Sequence, residues 1–100
     1  MDLTKEEMAV VIAAIRQHLP PDVEVFFFGS RVDESSRRGS DLDVLLKGVR
    51  PIDLKVVAML RDRLEESDLP FKVDLIDYHA CTPEMVRNFS KTMVKVLPPA

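Results

Sequence analysis

The chain has no tryptophan, one tyrosine, one cysteine and three glycines in 100 residues. A single cysteine, Cys81, cannot form an internal disulfide, so the sequence is read as suited to a reducing, cytoplasmic compartment. Basic residues are not in surplus: 14 Lys and Arg against 17 Asp and Glu leave a formal net charge of −3. That balance argues against broad, strong binding to nucleic acid, although it leaves room for a local basic patch. No apolar run approaches the roughly 20 residues that span a bilayer, so no membrane association is expected. The opening MDLTKEEMAV is acidic and amphipathic, without the basic flank and apolar stretch of a signal peptide. Internal repeats and low-complexity linkers are lacking too. What remains, 46% hydrophobic and 31% charged residues, is the composition of a single globular domain over residues 1–100.

Thr4 and Glu7 stand at capping-box spacing, and Met8, Val11, Ile12, Ile15 and Leu19 follow as one apolar stripe. A helix is therefore predicted up to Pro20-Pro21. Residues 23–28 are β-branched and aromatic and end at Gly29, which reads as a strand. A second strand is predicted over 41–47. Pro51 should start a second helix with Leu54, Val57, Leu60 and Leu64 as its stripe, and a third strand should run over 71–76. Thr82-Pro83 supplies an N-cap and first-turn pair for a last helix carrying Val86, Phe89, Met93 and Val96. The order α-β-β-α-β-α predicts an α+β (α/β) fold. Its small mixed sheet of about three strands should carry helices mainly on one face, leaving the other partly open.

The second strand opens in an unusual way, with Asp41-Leu42-Asp43. Side chains two apart share a face, so Asp41, Asp43 and Leu45 point one way and Leu42, Val44 and Leu46 the other. The same alternation on the third strand puts Asp74 on the face opposite Val73 and Leu75. If the aliphatic residues of both strands face the helices, three carboxylates share the open face. Unpaired, they would repel one another, so a cation is expected among them. Hard oxygen donors suit Mg²⁺ or Mn²⁺. Carboxylates about 6–7 Å apart along a strand can each reach a pair of ions spaced roughly 3.5–4 Å. Taken alone, Asp-Leu-Asp also reads as a strand start on a solvated face.

Gly29-Ser30 shifts that balance. A glycine at a strand end allows close approach of a ligand to the backbone, and the hydroxyl and amides that follow can bind phosphate oxygens. Arg31, Arg37 and Arg38 lie between the two motifs as cations available to a triphosphate, with Arg31 the best placed. Gly39-Ser40 gives a flexible, hydrogen-bonding approach to Asp41.

Gly29-Ser30, ten residues, then Asp41-Leu42-Asp43 resembles the G-S-x10-D-x-D signature of the minimal nucleotidyltransferases, within the DNA polymerase β-like superfamily. Residues 71–77, FKVDLID, resemble that family's final strand, with Asp74 as the third carboxylate. The resemblance covers nearly the whole chain. It implies that Gly29 and Ser30 hold the triphosphate, with Arg31 and Ser40 beside it, and that Asp41 and Asp43 bind two Mg²⁺ ions. Asp74 would bind the catalytic metal and help to activate the incoming hydroxyl. The implied reaction is attack on the α-phosphate of ATP, transferring AMP and releasing pyrophosphate. Where many relatives carry Ala-Arg-Gly after Gly-Ser-Arg, this chain has Val32-Asp33-Glu34, a departure that bears on phosphate contacts.

Other polar residues are read as structural. Asp77 falls on the face opposite Asp74; His18 and His79 stand alone; Tyr78 and Cys81 suit packing; Lys91 and Lys95 suit the last helix's C-terminus. The family's two-gene toxin–antitoxin arrangement pairs a minimal nucleotidyltransferase antitoxin with a helical HEPN ribonuclease and adenylylates a toxin tyrosine. The first expectation is therefore an Mg-dependent protein adenylyltransferase acting on a HEPN-type partner. The second is a non-catalytic nucleotide-binding or docking subunit of a two-protein complex. Phosphatases and sugar transferases that use D-x-D fit less well, needing further motifs or a far longer chain. The apolar stripe of the last helix or the outer side of the first could also serve an oligomer.

Overall fold

Four strands in one mixed sheet, with helices on both sides, make up the computed structural model, which describes residues 1–37 and 39–97. The elements are α1 (Lys5–His18), β1 (Glu24–Phe28), β2 (Leu42–Lys47), α2 (Leu54–Glu65), β3 (Val73–Asp77), a 3₁₀ turn (Tyr78–Ala80), α3 (Pro83–Phe89) and β4 (Val94–Leu97). The expected capping box is present at α1. Thr4 Oγ1 accepts from the Glu7 amide at 3.0 Å, and Glu7 Oε1 accepts from the Thr4 amide at 2.8 Å. Thr82 likewise caps α3, accepting from the Met85 amide at 3.2 Å.

The sheet order is β3-β2-β1-β4. β2 runs antiparallel to β1 and parallel to β3, and β1 runs antiparallel to β4. Val11 and Ile15 of α1 and Leu60 and Leu64 of α2 cluster with Val25, Phe27, Leu42, Val44, Leu46 and Leu75 of the sheet. Alternation leaves Phe28 and Leu45 on the opposite face, yet both are buried. α3 accounts for Phe28, whose ring stacks on Phe89 at 4.2 Å between centroids. The α+β class, the mixed sheet and the one-sided bias of the helices are as the sequence predicts.

Three local expectations need correction. Helix α2 starts at Leu54, not at Pro51, because the Asp53 carboxylate caps it by accepting from the Lys55 amide at 2.7 Å. Leu54 then falls in the first turn facing solvent, 85% exposed, and is no part of the core stripe. The last helix ends at Phe89, so Met93 and Val96 are not on it. Val94–Leu97, with β-branched residues at alternate positions, instead pairs with the edge of β1 that β2 leaves free. Lys95 accordingly lies on β4, where it meets Glu24 of β1 at 2.9 Å, and serves no helix terminus.

Candidate active site

The end of β1 and the beginning of β2 face each other directly, since antiparallel pairing sets Phe28 opposite Asp43. Parallel pairing with β3 sets Asp43 opposite Asp74. Asp41 precedes Asp43 by two residues along the same chain, so all three acids cluster at one end of the sheet's open face. Asp41 and Asp74 are exposed and Asp43 is half-buried. Burial, then the nearby charges of Asp74 and Asp41, push the Asp43 carboxyl up to about 6.

Gly29 adopts φ +86°, a conformation that side chains rarely take, and a Cβ at this position would lie 2.1 Å from Asp43 Oδ2. Only a bare α-carbon lets that carboxylate lie over the strand end, which ties the Gly-Ser motif to the acidic one in space. The Gly29 amide donates to Thr92 Oγ1 at 2.8 Å. Its carbonyl accepts from the Val32 and Asp33 amides, closing a tight turn in which the Ser30 carbonyl accepts from the Ser35 amide.

Arg31 forms no ion pair with the acids among the described residues. Its Nε donates to the Ser40 carbonyl and its Nη1 to the Asp2 carbonyl, both at 2.8 Å, and the guanidinium lies 4.0 Å over the Phe71 ring. Ser40 Oγ accepts from the Arg37 amide at 2.9 Å. Arg31 and Ser40 thus hold the loop before Asp41 in place, while Arg38 lies outside the described residues. Glu34, at the position where many relatives carry glycine, takes φ 65° and is held by the N-terminal ammonium at 3.0 Å. The loop therefore keeps a left-handed residue there without a glycine. Asp77 stays apart from the cluster, accepting from the Ile52 amide at 2.8 Å and the His79 amide at 2.9 Å.

The donor set suits a hard divalent cation: only carboxylates, mutually repelling, with Asp43 raised first by burial and then by its neighbours' charges. Among the described residues no three His, Cys, Asp or Glu side chains are gathered tightly enough to chelate an ion unaided. Two features escaped the sequence reading. Thr92 meets Gly29 across 63 positions, and no local pattern marks it. A groove of about 790 Å³ opens beside Asp41 and Asp74, walled by Arg61, Glu65 and Lys72 with Phe71 behind them. Finding it requires knowing that β3 lies at the sheet's edge.

The sequence profile of the family described as Polymerase beta, Nucleotidyltransferase matches residues 11–97. This chain belongs to that nucleotidyltransferase family. It is similar to the probable protein adenylyltransferase MntA of Haemophilus influenzae, 38% identical over 97 residues, covering 97% of this chain and 83% of that protein. The fold is shared with a crystal structure of a toxin–antitoxin with AMP-PNP, with a TM-score of 0.76 at 21% identity over 90% of this chain and 72% of that one. It is shared also with a chain of the tri-AMPylated HEPN toxin of Shewanella oneidensis in complex with MNT antitoxin. There the TM-score is 0.67 at 19% identity, over 88% of this chain and 66% of the other. Among the described residues no helix of this nucleotidyltransferase is long and apolar enough to cross a membrane.

Proposed function

We propose that this nucleotidyltransferase transfers AMP from ATP to a hydroxyl of a HEPN-type partner protein, a tyrosine in the first instance, and acts as an antitoxin. The observation that carries the reading is the placement of Gly29, Asp43 and Asp74 side by side across three strand ends. Its support is the 38% identity to a probable protein adenylyltransferase over almost the whole chain. Gly29 and Ser30 bind the β- and γ-phosphates at the end of β1. Asp41, Asp43 and Asp74 hold Mg²⁺, which, when bound, neutralises the triphosphate and stabilises charge on the attacking and leaving oxygens. The Asp74 carboxylate accepts the acceptor's hydroxyl proton. The freed oxygen attacks the α-phosphorus in line, a new P–O bond forms, and the bond to the β-phosphate oxygen breaks to release pyrophosphate. A single domain over residues 1–100 supplies these groups, and the acceptor comes from the partner.

The test is incubation of the protein and its copurifying partner with α-³²P-labelled ATP and Mg²⁺, alongside Asp41→Asn and Asp74→Asn. Label on the partner that vanishes in both variants supports the reading. A second reading, a nucleotide-binding or docking subunit without turnover, draws on Arg31 being engaged by the Ser40 carbonyl and the Phe71 ring. Unlabelled partner in a complex that still binds ATP would favour it.

A further inference from the structure

Among the described residues the outer edge of β3 has no strand beside it. β3 ends the sheet order and pairs only with β2. Leu42 is in register with Val73, and its amide donates to the Lys72 carbonyl at 2.9 Å. In a parallel ladder that pattern turns the N–H and C=O groups of Val73 and Leu75 away from β2, toward the outside. Among the described residues neither amide has a hydrogen-bond partner on that side. An unpaired row of this kind is a template for an added strand.

The groove of about 790 Å³ lies at the start of β3, lined by Lys72, Val73 and Asp74, and opens onto Asp41. Neither Gly29, Ser30 nor Asp43 lines it. Gly29 and Ser30 follow the strand end on the β1 side of Asp43, whereas the groove lies on the side of Asp41 and Asp74. In-line displacement needs the leaving pyrophosphate and the attacking oxygen on opposite sides of the phosphorus. With the triphosphate held at Gly29 and Ser30, the attacking group must come from the β3 side. Arg61 and Lys72 on the groove wall form no ion pair among the described residues, so they are available to an acidic side chain of whatever enters.

We infer that the edge of β3 and this groove take an extended segment of the acceptor protein by strand addition, carrying its hydroxyl to Asp74. The inference rests on the protein-acceptor reading above. The segment pairs with Val73 and Leu75 through backbone hydrogen bonds, and an acidic residue beside the acceptor hydroxyl meets Lys72 and Arg61. Main-chain pairing fixes the depth at which the hydroxyl arrives, and the cations select the sequence around it.

Backbone amide exchange of Val73 and Leu75 tests this, measured in the free protein and in complex with the copurified HEPN-type partner. Two variants accompany it. Val73→Pro removes one outward amide without touching the β2 ladder, and Lys72→Glu reverses a wall charge. Strand addition predicts that both amides become protected in the complex. It also predicts that each variant lowers kcat/KM for partner labelling by about tenfold, mostly through KM for the partner, at nearly unchanged ATP affinity. Labelling without protection of the two amides overturns the inference. So does a loss of ATP affinity in Lys72→Glu, which would assign the groove to the nucleotide. Should Val73→Pro fold poorly, Lys72→Glu and the exchange data still decide. Protection without any labelling would keep strand addition and sink the transfer reading; neither protection nor labelling sinks both.

Discussion

The two faces of the sheet are built from the same three strands to opposite ends. Toward α1 and α2, β1 and β2 present Val25, Phe27, Leu42, Val44 and Leu46, all fully buried. Toward the other side they present Phe28 and Leu45, covered, and then Asp43, half-covered, with Asp41 and Asp74 beside it. One face gains stability at every position. The other gives some back at one end, where like charges are crowded and one is partly desolvated. Placing the acidic cluster on the rim of a well-packed sheet lets the core hold carboxylates in positions they would not adopt by mutual preference. The contrast also explains why a small domain can carry a costly site, because β2 serves both faces with alternate residues.

Breaking the covered face should have the largest effect. Phe27 is 0% exposed at the centre of the cluster, and Phe27→Ala should cost about 3–5 kcal/mol. Native stabilities are about 5–15 kcal/mol, so the variant should lose a large share of its stability, as denaturant titration would show. At the seam between the faces, Gly29→Ala meets both the left-handed backbone penalty and the Asp43 carboxylate 2.1 Å from the new Cβ. A loss of about 2 kcal/mol is expected. The displaced carboxylate should also reduce ATP-dependent labelling far more than the stability loss alone would.

How much of this was legible depended on how local each feature is. The alternation in Leu42-Asp43-Val44 and in Val73-Asp74-Leu75 sorted residues to faces correctly, because a strand's period holds whatever its neighbours are. The capping box of α1 and the Thr82 cap of α3 are also local, and both were readable. β4 was not: Met93 and Val96 continue a helical stripe from Val86 and Phe89, and only the unpaired edge of β1 decides for a strand. The surroundings of Arg31 were hidden for a related reason. Its closeness in sequence to Gly29-Ser30 suggested phosphate, whereas tertiary packing brings Phe71, Ser40 and Asp2 to its guanidinium. The groove depends on strand order, which local pattern does not encode.

Thr92 sharpens the comparison from the C-terminal side. Its hydroxyl accepts from the Gly29 amide, so it holds the strand end on which Asp43 rests. Thr92→Val keeps the shape and removes the acceptor, leaving a part-buried N–H unpaired at a cost of about 1–2 kcal/mol. Thr92→Ser should retain most of the stability. If Thr92 positions the turn, KM for ATP should rise in Val and recover in Ser, with kcat less affected. Equal loss of kcat and stability in both variants would reduce Thr92 to packing.

The smallest expected change has the opposite sign. Asp43 titrates at about 6 when folded and near 3.8 otherwise. Between those values the folded chain holds a proton that the unfolded chain has lost, so this group's contribution to stability rises as pH falls through 6 and levels off below about 4. At neutral pH the ionised carboxylate therefore works against the fold. Asp43→Asn should make the free protein more stable than the wild type at neutral pH while abolishing labelling. Because the carboxylate is only half-buried, solvent screening limits the gain to about 1 kcal/mol. The advantage should disappear on acidification, when the wild-type carboxyl is protonated too. Adding Mg²⁺ at neutral pH should narrow the gap by stabilising the wild type and not the variant. Chemical denaturation of both proteins at neutral and acid pH, with and without Mg²⁺, measures all of this. A wild type at least as stable as Asp43→Asn in metal-free neutral buffer would mean that the open face carries no such conflict.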